Sequence, residues 1–382
     1  MGSNSAKDHS APSECRDRWH SAAVPAGFRA ASHRLQRMFW ILLLCGAAGV
    51  APAPPSIAQS SAPALERSAP LSPLPQGQVL RRSLRSDPAQ EYFLYIPSTG
   101  SMAAPLFVAV HGISRNALEH ATMFAEHAEA YGVTLLVPYF TEKENDDYQR
   151  LGRAGRGSRA DLVLDAILEE VADLTGANVS KIYLFGFSGG AQFAHRYTMA
   201  HPERVARAVV AAAGWYTFPD ERTPYPYGTG PSDELASLHF DPEQFLRVPI
   251  TVFVGEEDIQ QSESLRRNPE VDRQQGVTRI ERARNWVAAM RAAADAHHLE
   301  PLVSYAQVAG IQHSFKQFMQ EGQLGERVFQ ALFGPGSSRK PTATDAAAPG
   351  ESRSGSLPSS MDSAWDIPVA FHASPVSVGD ER

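Results

Sequence analysis

The chain is predicted to fold as an α/β protein with a mainly parallel sheet covered by helices on both faces. Three observations predict it. Strand-like and helix-like segments alternate through the middle of the chain, which favours parallel pairing through crossover helices. Several apolar runs are continuous rather than alternating, as in Leu106–Val110, which is the pattern of strands buried on both faces. One such run, Lys181–Phe185, ends in Gly186-Phe-Ser188-Gly-Gly190 and passes at once into a helical segment, the strand–turn–helix order of an α/β sheet.

The elements follow in order. Gln78–Arg85 and Glu91–Ile96 read as a strand pair joined at Ser86-Asp87-Pro88, an antiparallel hairpin. Leu106–Val110 is a buried strand, Ala117–Tyr131 a helix capped by Gly132, and Val133–Pro138 the next strand. Arg159–Leu174 is amphipathic, with apolar residues at 162, 163, 166, 167 and 171. Lys181–Phe185 is the central strand, Gly189–Ala200 the helix behind it, and Pro202 marks that helix's end. Arg207–Ala213 and Pro249–Val254 are strands, Thr278–His297 a long helix, Leu302–Val308 the last strand and Phe315–Leu332 one closing helix.

Composition bounds the function. The 382 residues are 43% hydrophobic and 20% charged, and a formal net charge of -7 gives no reason to expect nucleic acid as a partner. Both cysteines, Cys15 and Cys45, lie near the N-terminus, so neither a disulfide framework nor a thiolate metal site is expected in the body of the protein. Arg29, Arg34 and Arg37 precede the apolar run Phe39–Val50, and the small-residue site Ser56-Ile57-Ala58 follows. This is the layout of a signal peptide, and the run is shorter than the roughly 20 residues that span a bilayer. An uncleaved anchor is the alternative; lipid attachment at Cys45 is disfavoured by bulky Leu44. The expected organisation is an N-terminal extension and signal peptide (1–58), a Pro/Ala/Ser-rich linker (59–76), one α/β domain (77–333) and a disordered tail (334–382) whose composition cannot bury enough surface to order it. The expected location is exported, periplasmic or extracellular, with no stable membrane span after signal cleavage.

Ser188 is the candidate nucleophile. Chance alone gives roughly 0.1–0.2 Gly-x-Ser-x-Gly matches in a chain of this length, so the flanking strand and helix carry the specificity. A serine hydroxyl needs a base to take its proton and a group to orient that base. In an open parallel sheet these gather beyond the carboxyl ends of strands. His313, in the loop after the last strand, is the expected base; His297 and His298 sit at a helix end, and His195 and His201 lie on or beside the helix behind Ser188 and face away. The acid is expected in Gly255-Glu256-Glu257-Asp258, with Asp258 favoured and Glu256 and Glu257 as rivals. Oxyanion donors are expected at the backbone N–H of Gly189 and, in the loop His111-Gly112-Ile113-Ser114, at Ile113 or alternatively Ser114. His111 is expected to pin that loop by a side-chain hydrogen bond.

These residues stand in the order of the α/β-hydrolases, and the chain resembles the esterase and poly(3-hydroxybutyrate) depolymerase-like branch of that superfamily. The resemblance rests on His111-Gly112, Gly186–Gly190, Gly255–Asp258 and Gln312-His313-Ser314-Phe315 and spans nearly all of 77–333. It implies a sheet of about eight strands with an antiparallel second strand, and a serine esterase acting on a small-molecule or oligomeric ester.

Around the site, Trp215 and Tyr216 are candidate substrate contacts. Tyr225–Asp241 reads as a cap or as a packed aromatic loop. Arg150, Arg153, Arg156 and Arg159 read as contacts for an anionic group or as a solvated loop capping the next helix. No metal-ligand spacing, phosphate loop or dinucleotide fingerprint occurs, so no cofactor or metal is expected. A serine peptidase on the same fold and a non-catalytic binding module remain the competing functions.

Overall fold

A computed structural model describes residues 74–260 and 265–334. The signal-peptide reading, both cysteines, most of the linker and nearly all of the tail lie outside the described residues.

Eight strands form one sheet. β1 (Val79–Leu84) and β2 (Asp87–Tyr95) make the expected hairpin, with β2 beginning at the turn and an irregularity between Ser83 and Leu84. β3 (Pro105–Val110) leads to α1 (Ala117–Tyr131), which Gly132 ends in a left-handed conformation, and then to β4 (Thr134–Tyr139). α2 (Ala160–Thr175), β5 (Asn178–Phe187) and α3 (Gly189–Ala200) follow, then β6 (Val205–Ala211). After the short α4 (Pro242–Phe245) come β7 (Ile250–Gly255), α5 (Pro269–Gln275), α6 (Arg279–Ala296) and β8 (Val303–Val308). The chain then forms α7 (Phe315–Gln320) and α8 (Leu324–Phe333).

The strand order is β1-β2-β4-β3-β5-β6-β7-β8, and only pairings that involve β2 are antiparallel. From β3 the chain steps outward to β4 and then returns to place β5 on the other side. β3 and β5 therefore flank the point where winding reverses, the usual position of a ligand crevice in an open α/β sheet.

Alternating strand side chains feed two cores. On one face Leu106, Val108, Leu184, Val210 and Val252 pack with Leu164 and Leu168 of α2, Phe193 of α3 and Trp286 of α6. On the other, Phe107, Leu135, Phe185, Val209 and Phe253 pack with Phe124 of α1 and Val328 and Phe329 of α8. Both faces of the central strands are buried, which is why their sequences are apolar without alternation.

Three expectations change. The closing helix is two helices, because Gln323 adopts a left-handed backbone (φ 51°) and a side chain at Gly322 would come 2.8 Å from the Phe318 carbonyl oxygen. α2 buries 160, 161, 164, 167, 168 and 171, with Val163 and Ala166 partly buried against the same core, so of the expected apolar positions only Leu162 faces outward. α4 and α5 are additional elements, capped by the side chains of Asp241 and Asn268.

Candidate active site

The turn between β5 and α3 is shaped by backbone contacts. Ser188 sits at φ 54°, ψ -112°, a strained conformation for a residue with a side chain. Two glycines permit it. A Cβ on Gly186 would fall 2.1 Å from the Gly190 carbonyl oxygen, and one on Gly190 would fall 2.0 Å from that of Val110 and 2.5 Å from that of His111. The Ser188 N–H donates to the Ala211 carbonyl at 2.8 Å, tying the turn to the end of β6.

The loop after β3 lies against this turn. The Ile113 backbone nitrogen is 3.2 Å from where a Cβ on Gly189 would stand. His111 pins the loop: its Nδ1–H donates to the Gly112 carbonyl at 2.8 Å and its Nε2 accepts from the Phe140 N–H at 3.1 Å. This pattern requires a neutral ring, and full burial lowers the His111 pKa to about 4. Tyr148 adds a hydrogen bond from its hydroxyl to the His111 carbonyl at 2.9 Å.

The other flank is built from the loops after β7 and β8. They are joined by backbone bonds from Glu256 N–H to the Val308 carbonyl and from Glu257 N–H to the Ile311 carbonyl, both 2.9 Å. Gly255 allows this approach, since a Cβ there would meet the Ile311 carbonyl oxygen at 2.1 Å. Glu256 and Glu257 point to solvent, while Asp258 is buried. Asp258 Oδ2 accepts from His313 Nδ1–H at 2.8 Å, and His313 Nε2 lies 3.0 Å from Ser188 Oγ. The His313 ring stacks on Phe187, with centroids 5.2 Å apart. Ser188, His313 and Asp258, separated by 125 and 55 positions, thus form one continuous hydrogen-bonded chain.

A further charge joins it. Arg279 Nη1–H donates to Asp258 Oδ1 at 3.0 Å, with both side chains essentially inaccessible. Sequence reasoning missed Arg279. The available signal was Thr278-x-x-Glu281, a capping-box pattern that places Arg279 in the first turn of α6.

Other candidates are placed differently. Tyr216 is not a surface contact: it is fully buried, stacked on Trp286 at 4.9 Å, with its N–H donated to Gln275 Oε1. Burial pushes its hydroxyl pKa well upward. Trp215 is also nearly buried, its ring covered by the guanidinium of Arg196 at 4.1 Å and flanked by those of Arg266 and Arg150. These cations occupy the indole surface that a substrate would need. Arg153, Arg156 and Arg159 pair with Asp147, Asp146 and Asp161, so they knit their own loop. Tyr225 is buried and stacks with Phe240 at 5.6 Å, and the Thr217 hydroxyl donates to the Pro226 carbonyl at 2.7 Å. Packing describes the first part of that segment, whereas Pro231, Asp233, Ala236, Ser237, His239 and Asp241 are exposed. His195 is buried with both ring nitrogens engaged by backbone groups, and His201 pairs with Asp161.

Among solved structures, the chain is similar to poly(aspartic acid) hydrolase-1 from Sphingomonas sp. KT-1, with 25% identity, TM-score 0.54, and coverage of 62% of this chain and 92% of that one. It is also similar to the poly(3-hydroxybutyrate) depolymerase LpqC from Bordetella parapertussis, with 22% identity, TM-score 0.55, and coverage of 70% and 92%. The chain has the α/β-hydrolase fold. A curated relative, feruloyl esterase B from Talaromyces funiculosus, is 28% identical over 153 residues, 38% of this chain. The chain spans about two fifths of that relative's length, 41%. No protein-family model matches. The esterase-like α/β-hydrolase resemblance read from the sequence is borne out by these likenesses. Among the described residues, this hydrolase fold contains no helix long and apolar enough to cross a membrane and no group of His, Cys, Asp or Glu placed to hold a metal ion.

Proposed function

We propose that the protein is an exported serine hydrolase that cleaves carboxylic esters through Ser188, His313 and Asp258. The observation that carries this reading is the unbroken hydrogen-bonded chain from Ser188 Oγ through His313 to Asp258. His313 Nε2 takes the hydroxyl proton as Ser188 Oγ bonds to the ester carbonyl carbon. The imidazolium is held by the Asp258 carboxylate through Nδ1–H. The tetrahedral oxyanion lies against the backbone N–H groups of Gly189 and Ile113. When the C–O bond to the leaving group breaks, His313 returns the proton to the alkoxide, and the alcohol departs. His313 then takes a proton from water as the oxygen adds to the acyl-enzyme carbonyl; on collapse the C–Oγ bond breaks, His313 returns the proton to Ser188 Oγ, and the acid departs. No cofactor takes part in this sequence.

The strained Ser188 backbone supports the reading, since strain of this kind is retained where geometry serves chemistry. The domain layout proposed with it keeps residues 1–58 as extension and signal peptide, 59–76 as linker, 77–333 as the hydrolase domain and 334–382 as tail.

Ser188→Ala is expected to lower p-nitrophenyl ester turnover by about 10⁴-fold or more, with an unchanged circular dichroism spectrum. Turnover within tenfold of the parent would end the proposal. Amide hydrolysis with the same three residues is the second reading, favoured by the likeness to a poly(aspartic acid) hydrolase, whose named substrate is joined by amide bonds. Matched ester and anilide substrates separate the two.

A further inference from the structure

We propose that Arg279 is a positioning residue whose charge, held on Asp258, extends the activity of the site to lower pH. The inference rests on the Ser188–His313–Asp258 reading above.

Asp258 divides its oxygens: Oδ2 serves His313 at 2.8 Å and Oδ1 serves Arg279 at 3.0 Å. A carboxylate held at one oxygen only can rotate about its Cβ–Cγ bond. Held at both, its plane is fixed, and so is the imidazole edge that faces Ser188. The holder is itself fixed. Arg279 is the first residue of α6, and the capping box between Thr278 and Glu281 sets its backbone.

A neutral donor could fix that plane at lower desolvation cost, so the guanidinium's charge is the informative part. Burial lowers the Arg279 pKa while the attraction of Asp258 opposes that fall. Other groups face this pair. The Tyr216 hydroxyl interacts with both partners, and Arg282, three residues further along α6, interacts electrostatically with Arg279. Glu256 and Glu257 share the β7 loop but face solvent, with Glu257 near Gln312, and Glu281 is engaged in the cap. The imidazolium formed during turnover therefore meets a carboxylate already neutralised by an arginine. A bare buried carboxylate would hold the imidazole proton more tightly and trap the base in its inactive form at higher pH.

The test is the pH profile of kcat/KM for a p-nitrophenyl ester, measured on the full chain. In Arg279→Gln the acid limb is expected to move up by about one pH unit. In Arg279→Lys, which keeps the charge but not the planar fork, the limb is expected to stay within about 0.3 unit, while kcat falls about tenfold at unchanged KM. A folded Arg279→Gln whose limb stays in place or moves down overturns the proposal. Should that variant fail to fold, Arg279→Lys decides alone: a displaced limb, or a change in KM instead of kcat, overturns it. Wild-type protein that a fluorophosphonate fails to label at Ser188 overturns the underlying reading, and this inference with it. Labelled wild type with an unmoved Arg279→Gln profile overturns only the inference.

Discussion

The two flanks of the site are built by different means. On the nucleophile flank, main chain packs on main chain: β3, β5 and the start of α3 approach so closely that Gly190 is enclosed by the carbonyls of Val110 and His111. On the acid–base flank, two loops beyond β7 and β8 are zipped by backbone bonds, but the reacting groups are aligned by side chains, Arg279 on Asp258 and Phe187 against His313. The first flank belongs to the folded core. The second depends on those side-chain contacts: without them its carboxylate and imidazole could turn while the sheet stayed folded.

A pair of glycine substitutions separates the two flanks most sharply. A Cβ at Gly190 meets backbone of the central strand end at 2.0 Å, and neither β3 nor β5 can move without disturbing both cores. Gly190→Ala is therefore expected to cost about 4 kcal/mol of stability, in the exceptional range for one substitution. A Cβ at Gly255 meets the Ile311 carbonyl at 2.1 Å, but that carbonyl belongs to a loop near the sheet edge. Gly255→Ala is expected to cost only about 1 kcal/mol as the loop shifts, while ester turnover falls more than tenfold because His313 moves with it. Denaturant midpoints and kcat for the two variants check this. Equal stability losses would erase the distinction between the flanks.

A smaller effect comes from acid. His111 carries the loop that lies against Gly189, and its ring is neutral in the fold. Its folded pKa, about 4, lies below its unfolded value near 6.5. Between those values the unfolded chain binds a proton that the folded protein refuses. This contribution to stability is therefore fully present above about pH 6.5 and is lost as pH falls towards 4. The loss from His111 amounts to about 3 kcal/mol. His120 and His195, also buried and with pKa values lowered by burial, act in the same direction. Urea unfolding at pH 7 and pH 4.5 should show the fall. In His111→Phe stability at pH 7 drops, but its slope against pH flattens. An unchanged slope would mean that the loop on the nucleophile flank does not depend on a neutral His111.

The two flanks also differ in how far the sequence announces them. Ser188 and its glycines sit within five residues, and steric necessity leaves a local pattern that reads directly. His313 and Asp258 are legible through chain order and strand ends, and burial separates Asp258 from Glu256 and Glu257 once the loops are folded. Arg279 is illegible by the same route, because one arginine in the first turn of a helix reads as an exposed charge until tertiary packing buries it. Trp215 and Tyr216 show the opposite failure. Aromatics after a central strand read as pocket walls, yet the arginines over Trp215 and the Trp286 ring against Tyr216 exist only in three dimensions. The break at Gly322-Gln323 was obscured by the apolar periodicity of α7 and α8 on either side of it.

Helix α2 tolerates change at one of its apolar positions. An apolar residue at 162 fits a helical stripe with 163, 166 and 167, and on that reading Leu162 belongs to the core. In the fold Asp161 takes the buried position instead, paired with Arg159 and His201, and this turns Leu162 outward to 53% exposure. The next turn carries the load through Leu164, which is fully buried. Leu162→Gln is accordingly expected to change stability by less than about 0.5 kcal/mol, whereas Leu164→Ala costs about 3 kcal/mol. If Leu162→Gln instead destabilised by more than about 2 kcal/mol, the helix would be packed on the stripe its periodicity suggests. Asp161 would then lose its ion pair to Arg159 and its hydrogen bond with His201, and the loop that leads from β4 to α2 would need a different anchor.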